Sequence, residues 1–316
     1  MTGTPTDLSS AALLDPFASR PDDLVRVRLR RPDALDDLDQ PDVPAGGGEV
    51  ITRTEHFRLR RNGRRLEVDH WLPGDQLDND LAGLIAEELF GPGWLSGNDL
   101  FERVFTGVVR STAADPMQAW NAFYDNTMAA IRRHLARPSP VPGAACSEIA
   151  NMAPVYGRAL RLVPPGRVLD LGSCFGFFPL LLAEAGRHSV LASDLVAGTM
   201  RLLSAVARNR KVPLRTLTCD ATSVPLPDAA FDTVTVLHLL EHLDPEQGSA
   251  VLAEAMRLAT RSVVIAVPFE DEPAAVYGHV RRFDIETLTA LGKLFGRRFT
   301  VAEHHGGWLV IRPGAR

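Results

Sequence analysis

The run Val168-Leu169-Asp170-Leu171-Gly172-Ser173-Cys174-Phe175-Gly176 constrains this chain more than any other segment. An apolar stretch ends on an acid, a glycine turn follows, and Phe177-Phe178-Pro179-Leu180-Leu181-Leu182-Ala183 continues as a helical run. Strand, tight turn and helix in that order open an α/β unit that receives a ligand at the turn. Gly172 lets the backbone approach a ligand closely, and Gly176 lets the helix pack closely on the strand. Cys174 replaces the middle glycine of the pyrophosphate-binding pattern, and no Gly-Lys-Ser/Thr follows. The turn therefore suits a ligand without a diphosphate.

Alternating strands and helices surround this motif. Strands are expected at Arg167–Leu171, Ser189–Ser193, Leu214–Cys219, Thr233–Leu237 and Ser262–Pro268. Helices are expected at Ser147–Leu162, Phe177–Ala185, Gly198–Asn209, Pro245–Ala259 and Ile285–Phe295. This alternation predicts a doubly wound, mostly parallel sheet. Phe299–Ala302 and Trp308–Ile311 are strand-like runs joined by a short segment containing Gly306-Gly307. That connection is too short for a helical crossover, so the two strands should pair antiparallel.

At 316 residues the chain has room for about two domains. Residues 1–48 are rich in Pro, Asp, Ser and Gly and are expected to be partly disordered. One short strand is expected there, where Val25, Val27 and Leu29 alternate with arginines. Residues 49–143 read as an α+β accessory or substrate domain. Alternating runs flank Asn62-Gly63, a hairpin signal in which both residues would take positive φ. The arginines on either side suit an anionic ligand or a solvated strand face. Helices are expected over Leu77–Phe90, Leu100–Arg110 and Pro116–Arg137, before the boundary Pro138-Ser139-Pro140-Val141-Pro142-Gly143. Residues 144–316 form the domain that carries the motif.

Hydrophobic content of 45% and charged content of 23% are those of a soluble globular protein. A net charge of −5 offers no general attraction for nucleic acid. Cys146, Cys174 and Cys219 are scattered, which disfavours a disulfide framework or a zinc site. The first 20 residues lack a basic stretch followed by a long apolar core, and no apolar run reaches the length of a membrane span. A cytoplasmic enzyme is the expectation.

Four features in order resemble the class I S-adenosylmethionine-dependent methyltransferases, over Arg167 to the C-terminus: the Asp170–Gly176 turn, Asp194 closing the second strand, Asp220-Ala221 after the third, and Val224–Asp232 leading into Leu240-Glu241-His242-Leu243. The resemblance implies a seven-stranded sheet closed by an antiparallel hairpin. It also implies S-adenosylmethionine as cofactor, with the turn beside its methionine part and Asp170 organising the loop. Asp194 would accept the ribose hydroxyls, Asp220 the adenine amino group, and the Ala221 N–H would bond a ring nitrogen. Gly172, Ser173, Cys174, Gly176, Leu195 and Leu237 complete the implied cofactor-binding set.

The acceptor is read from the fourth strand. Methylases of exocyclic or amide nitrogens commonly carry Asn/Asp-Pro-Pro-Tyr/Phe here, whereas this chain reads Leu237-His238-Leu239-Leu240; it also lacks the Pro-Cys pair of cytosine-C5 enzymes. A hydroxyl acceptor on a small molecule or glycan is then favoured, and it needs a base. His242, His238 and His279 are the candidates, because imidazole titrates near neutrality. Glu241, Asp244, Glu270, Asp271 and Glu272 are hard oxygen donors, but loop acids are ordinarily just solvated, so no metal is expected. Trp71, Trp94, Trp120 and Tyr124 offer flat faces for a ring, although Trp120 and Tyr124 at i and i+4 also suit a core stripe. The long N-terminal half joined to this region also resembles the mycofactocin-associated oligosaccharide methyltransferases, which implies a glucose hydroxyl as acceptor. The alternatives are a protein or RNA methylase, for which the Arg58–Arg65 hairpin is the candidate basic face, and a non-catalytic protein that binds the cofactor.

Overall fold

A computed structural model describes residues 24–30, 48–137, 147–274, 277–295 and 298–313. The chain divides into two compact units, Met1–Ala150 and Asn151–Arg316. Most of the 1–48 segment and its expected disorder lie outside the described residues.

Unit 1 holds a four-stranded sheet in the order β1 (Val25–Leu29), β4 (Arg65–His70), β3 (Phe57–Asn62), β2 (Glu49–Arg53). The alternating Val/Arg run thus becomes an edge strand, parallel to β4. The β3–β4 hairpin differs in its turn from the sequence expectation. Asn62 still pairs with Arg65, so Gly63 and Arg64 are the central residues, and of these only Gly63 has positive φ, at 60°. A first central glycine matches the strand twist without asking a side chain to enter the left-handed region. Three helices follow: α1 (Leu81–Ile85, continued by a π turn at Ala86–Phe90), α2 (Asn98–Ser111) and α3 (Pro116–Leu135). The first begins four residues later than its pattern suggests. Asp115 caps α3 by accepting from the Met117 N–H at 3.0 Å, with Pro116 in the first turn, where a missing N–H costs nothing. Trp120 and Tyr124 are fully buried, so they are core residues and offer no ring-binding face. Trp94 is exposed, and Trp71 lies under the Arg53 guanidinium at 5.7 Å. Arg58 and Arg60 bond Asp69 across the sheet, so these two hairpin arginines are not a free basic face.

Unit 2 contains α4 (Glu148–Leu162, its first turn crossing the unit boundary), β5 (Gly166–Leu171), α5 (Phe177–Glu184), β6 (His188–Asp194), α6 (Ala197–Asn209) and β7 (Leu214–Thr218). It continues with β8 (Phe231–Leu237), α7 (Pro245–Leu258), β9 (Ala259–Val267), α8 (Ile285–Phe295), β10 (Arg298–Glu303) and β11 (Gly307–Arg312). The seven strands run β10-β11-β9-β8-β5-β6-β7. β5 to β9 are mutually parallel, and β11 is antiparallel to both β9 and β10. This is the class I methyltransferase fold, with the antiparallel hairpin that the short Gly306-Gly307 connection requires.

The inner strands of the sheet are buried on both faces, which is why they are largely apolar, whereas the edge strands β7 and β10 are partly exposed. Alternation still sorts them. Leu169, Leu171, Val234, Val263, Ile265 and Val267 pack with α7 and α8, while Val168, Val264 and Ala266 pack with α4 and α5. Each strand thus feeds two cores with a period of two. The strand order reverses between β5 and β8, and ligands of such sheets bind at the carboxyl ends of the strands beside that point. No helix among the described residues is long and apolar enough to cross a membrane.

Candidate functional site

The carboxyl edge of the sheet begins with the loop after β5. Gly172, Cys174 and Gly176 all have positive φ, at 71°, 48° and 75°. A side chain at Gly172 would place its Cβ 2.8 Å from the end of the Leu239 side chain, in a left-handed conformation that favours glycine. Cys174, exposed, holds a left-handed conformation that costs an L-residue about 1–2 kcal/mol. Its N–H donates to Asp194 Oδ2 at 2.9 Å, which ties the loop to the end of β6.

Asp170 faces inward. Register places it beside Thr235 on β8, whose hydroxyl donates to Oδ1, while the Ser173 hydroxyl donates to Oδ2 at 2.7 Å. Ser193 adds a bond to the Asp170 carbonyl at 3.0 Å. Asp170 is therefore a loop organiser with both oxygens engaged. Thr235 and Ser193 do not stand out in the sequence; aligning the strand ends in register is the signal that finds them.

Burial raises the Asp170 carboxyl to about 6, with Asp194 adding to the rise and the Thr235 and Ser173 hydroxyls opposing it. This has a pH consequence. Below about pH 4 the group is protonated in both folded and unfolded chains. Between about 4 and 6 the unfolded chain releases the proton and the folded one keeps it, so stability falls as pH rises. The expected fall is about 2–3 kcal/mol, since each tenfold difference in proton affinity between the two chains is worth about 1.36 kcal/mol. Urea melts of the wild type and Asp170→Asn across this window check it: the wild type should lose more stability by that amount, and parallel curves would refute it.

Asp194 accepts the Cys174 N–H at Oδ2 and the Val196 N–H at Oδ1, both at 2.9 Å. Burial pushes its carboxyl up and these N–H donors pull it back. An ionised carboxylate has about four lone-pair directions, so these donors leave acceptor capacity for a ligand. Asp220 is exposed and accepts from the Thr222 N–H and hydroxyl at Oδ1, an arrangement that keeps Oδ2 clear of the turn. Leu195, 57% exposed, stands at the end of β6, whereas the Leu237 side chain packs in the core. Ala221 is partly buried beside Asp220.

The three candidate bases come together at the ends of β8 and β9. His238 closes β8 with φ of 51°, its N–H bonded to the Ala266 carbonyl at 2.9 Å. A 3₁₀ turn, Leu240–His242, follows. The Glu241 carbonyl accepts the N–H groups of Val280 and Arg281 at 2.8 and 3.3 Å, which draws residues 278–281 onto this turn. The His242 and His279 rings meet edge to face with centroids 4.8 Å apart. His279 Nδ1 lies 2.8 Å from Glu270 Oε2, and His238 Nδ1 lies 3.5 Å from Glu241 Oε1. Burial lowers His238 to about 4, and the nearby His279 and His242 add to the fall, so its ring is neutral at physiological pH. Burial raises Glu241 to about 8; its own backbone N–H opposes this and Glu270 reinforces it.

The other acids noted from sequence do other work. Asp244 makes a capping box at the start of α7 with Gln247, and Asp271 and Glu272 are exposed. Asp244→Ala is expected to lower stability by about 1 kcal/mol in a thermal melt. His304 is partly buried and His305 exposed, beside the terminal hairpin turn.

Residues 169–267 match the family described as a methyltransferase domain. The match starts in β5 and ends with β9, so the matched stretch contains the glycine loop, Asp194, Asp220 and the His238–His242 segment. The chain is 30% identical over 138 residues to the demethylmenaquinone methyltransferase of Thermus thermophilus, covering 43% of this chain and 62% of that protein. It is 28% identical over 146 residues to a ubiquinone/menaquinone biosynthesis C-methyltransferase of Stenotrophomonas maltophilia, covering 44% and 57%. The chain thus spans about six tenths of the length of these curated relatives. Among solved structures, the 1,6-didemethyltoxoflavin-N1-methyltransferase of Burkholderia thailandensis, with bound 1,6-didemethyltoxoflavin and S-adenosylhomocysteine, is 21% identical with a TM-score of 0.42, over 60% of this chain and 80% of that one.

Proposed function

We propose that the methyltransferase domain uses S-adenosylmethionine to methylate a hydroxyl of a small molecule or glycan. One observation carries this reading: the carboxyl edge of the sheet presents Asp194 and Asp220 with acceptor sites to spare and, along the same edge, a cluster of three imidazoles. The donor set fits the cofactor. Asp194 has lone pairs for a cis-diol, Asp220 Oδ2 for an amino group, and exposed Leu195 an apolar surface for a purine or ribose face. Asp170, Asp194 and Asp220 also make the edge acidic, which favours a sulfonium over a phosphate-bearing nucleotide.

When bound, the cofactor supplies an electrophilic methyl group on a positively charged sulfur. The chain's own part is to hold the acceptor oxygen in line and to take its proton. Alignment is worth up to about 7–11 kcal/mol in well-oriented model reactions, and proton removal about 10²–10⁴-fold. The neutral ring of His238 is available as a proton acceptor at physiological pH.

A ring carbon is the second acceptor reading, and the Stenotrophomonas maltophilia relative, named as a C-methyltransferase, favours it. Methyl-labelled cofactor offered with glycosylated mycofactocin and, separately, with demethylmenaquinone distinguishes the two. Label on a sugar oxygen supports the hydroxyl reading, and label on the ring carbon replaces it. Failure to bind S-adenosylhomocysteine in calorimetry removes both.

A further inference from the structure

We infer that Glu241, His242 and His279 form a binding site for a divalent transition-metal ion of the zinc class, with one coordination position left open. The binding site stands on its own geometry; its role in holding an acceptor rests on the methyl-transfer reading.

The three side chains each bring one ligand atom to within 4.8 Å of the others. A tetrahedral ion with ligand bonds of about 2.0–2.2 Å needs its ligands roughly 3.4 Å apart. The gap to close is at most about 1.4 Å, within reach of side-chain rotation. The backbone already holds the two segments in place, through the Val280 and Arg281 N–H bonds to the Glu241 carbonyl.

Glu241 supplies the second observation. It is fully buried, and neither carboxylate oxygen has a hydrogen-bond partner in another described residue. A buried carboxyl group whose one donor is its own backbone N–H is rare, because losing water with so little compensation is costly. A cation between Glu241 and the two imidazoles removes that cost.

The surroundings of the imidazoles point the same way. His279 Nδ1 is engaged by the Glu270 carboxylate at 2.8 Å, and His242 is hydrogen-bonded to the Gly278 backbone. Each ring keeps its other nitrogen for a ligand bond. Metal-binding histidines almost always have such a partner, a carboxylate or a backbone carbonyl, which fixes the tautomer and the ring orientation. Two imidazoles and one carboxylate select zinc-like ions over magnesium or calcium, which prefer all-oxygen shells. Three protein ligands leave a fourth position for water or for the acceptor's oxygen, which the ion would acidify. His238 lies outside the set and remains the proton acceptor.

The test uses the full chain, stripped with a chelator and titrated with Co²⁺. The expected result is one bound equivalent with visible ligand-field absorption, displaced by Zn²⁺ and unaffected by a thousandfold excess of Mg²⁺. Glu241→Gln and His279→Ala should each weaken binding at least ~100-fold, and Glu270→Gln about 10–100-fold. S-adenosylhomocysteine titrated into every variant reports folding. Should Glu241→Gln lose both ligands through misfolding, exposed His242→Ala decides. Absence of stoichiometric Co²⁺ binding overturns the inference, as does binding that these substitutions leave unchanged. Cofactor binding and methyl transfer that persist in chelator would leave the methyltransferase reading intact while the metal site falls. Co²⁺ binding without any affinity for S-adenosylhomocysteine would do the reverse.

Discussion

Asp194→Ala is expected to weaken S-adenosylhomocysteine binding at least ~100-fold in calorimetric titration. The substitution acts twice. It removes the acceptor proposed for the two ribose hydroxyls, and hydrogen bonds to a charged group are worth about 1.5–3 kcal/mol each. Two such bonds amount to roughly 3–6 kcal/mol, and each 1.4 kcal/mol is tenfold in affinity. It also strips the Cys174 and Val196 N–H groups of their partner, which frees the loop that the cofactor would bind. Asp194→Asn separates the two effects. The amide keeps one acceptor oxygen and the side-chain shape, so an intermediate loss of about tenfold is expected. The fold should survive both changes, since a lost helix-start contact costs about 1 kcal/mol. If Asp194→Ala binds as tightly as the wild type, the carboxylate serves the loop alone and the adenosyl reading of this edge falls.

The parts of the molecule that could be read from sequence are those set by local pattern. β5, β8 and β9 are apolar runs bounded by turn residues, and the terminal hairpin follows from a connection too short for a helix. Asp170 and Asp194 lie at strand ends because each follows an apolar run, Asp220 comes just after β7, and the parallel topology places those ends along one edge. The rest depends on contacts distant in sequence. Nothing local to His242 announces His279; they meet because the Glu241 carbonyl captures the Val280 and Arg281 N–H groups. Glu241 is one of several loop acids in the sequence, and only burial singles it out from Asp271 and Glu272. In the same way Thr235 is one β-branched residue in an apolar strand until register places it beside Asp170. The Asn62-Gly63 signal points one residue early, because the pattern fixes the hairpin but register fixes which residues turn.

The second large effect is in unit 1, where Asp69→Ala is expected to cost about 3–5 kcal/mol of stability in urea unfolding. Asp69 is 1% exposed and faces four guanidinium groups. Arg58 and Arg60 donate to Oδ2 at 2.9 and 3.0 Å, Arg30 to Oδ1 at 3.2 Å, and Arg28 lies 3.9 Å away. Burial alone would raise this carboxyl, but Arg58, Arg30 and Arg60 outweigh it and hold it below its ordinary value. Removing one partner of a buried ionic network leaves the others without compensation, and that residual cost makes the effect large. Glu67 would remain as the partner of Arg28 and Arg60, at 2.7 and 3.4 Å, too little for four cations. Arg30→Ala is the contrast: that side chain is 41% exposed, so its loss should cost about 0–1 kcal/mol. The sign with pH follows from the lowered value. The contribution of Asp69 is complete above about pH 4 and fades as pH falls through its folded-state pKa, so the wild type should lose its advantage over Asp69→Asn in acid. The network also fixes the placement of β1. Arg28 and Arg30 share one face of that strand, and a slip of one residue would turn both away from Asp69 while turning Val27, which packs at Gly107 of α2, outward. Hydrogen exchange should therefore show the β1 amides opening first in Asp69→Ala. A loss of stability under about 1 kcal/mol, with β1 still protected, would mean that the ion pairs add only what exposed ones do and that the apolar contacts of Val25 and Val27 hold the strand by themselves.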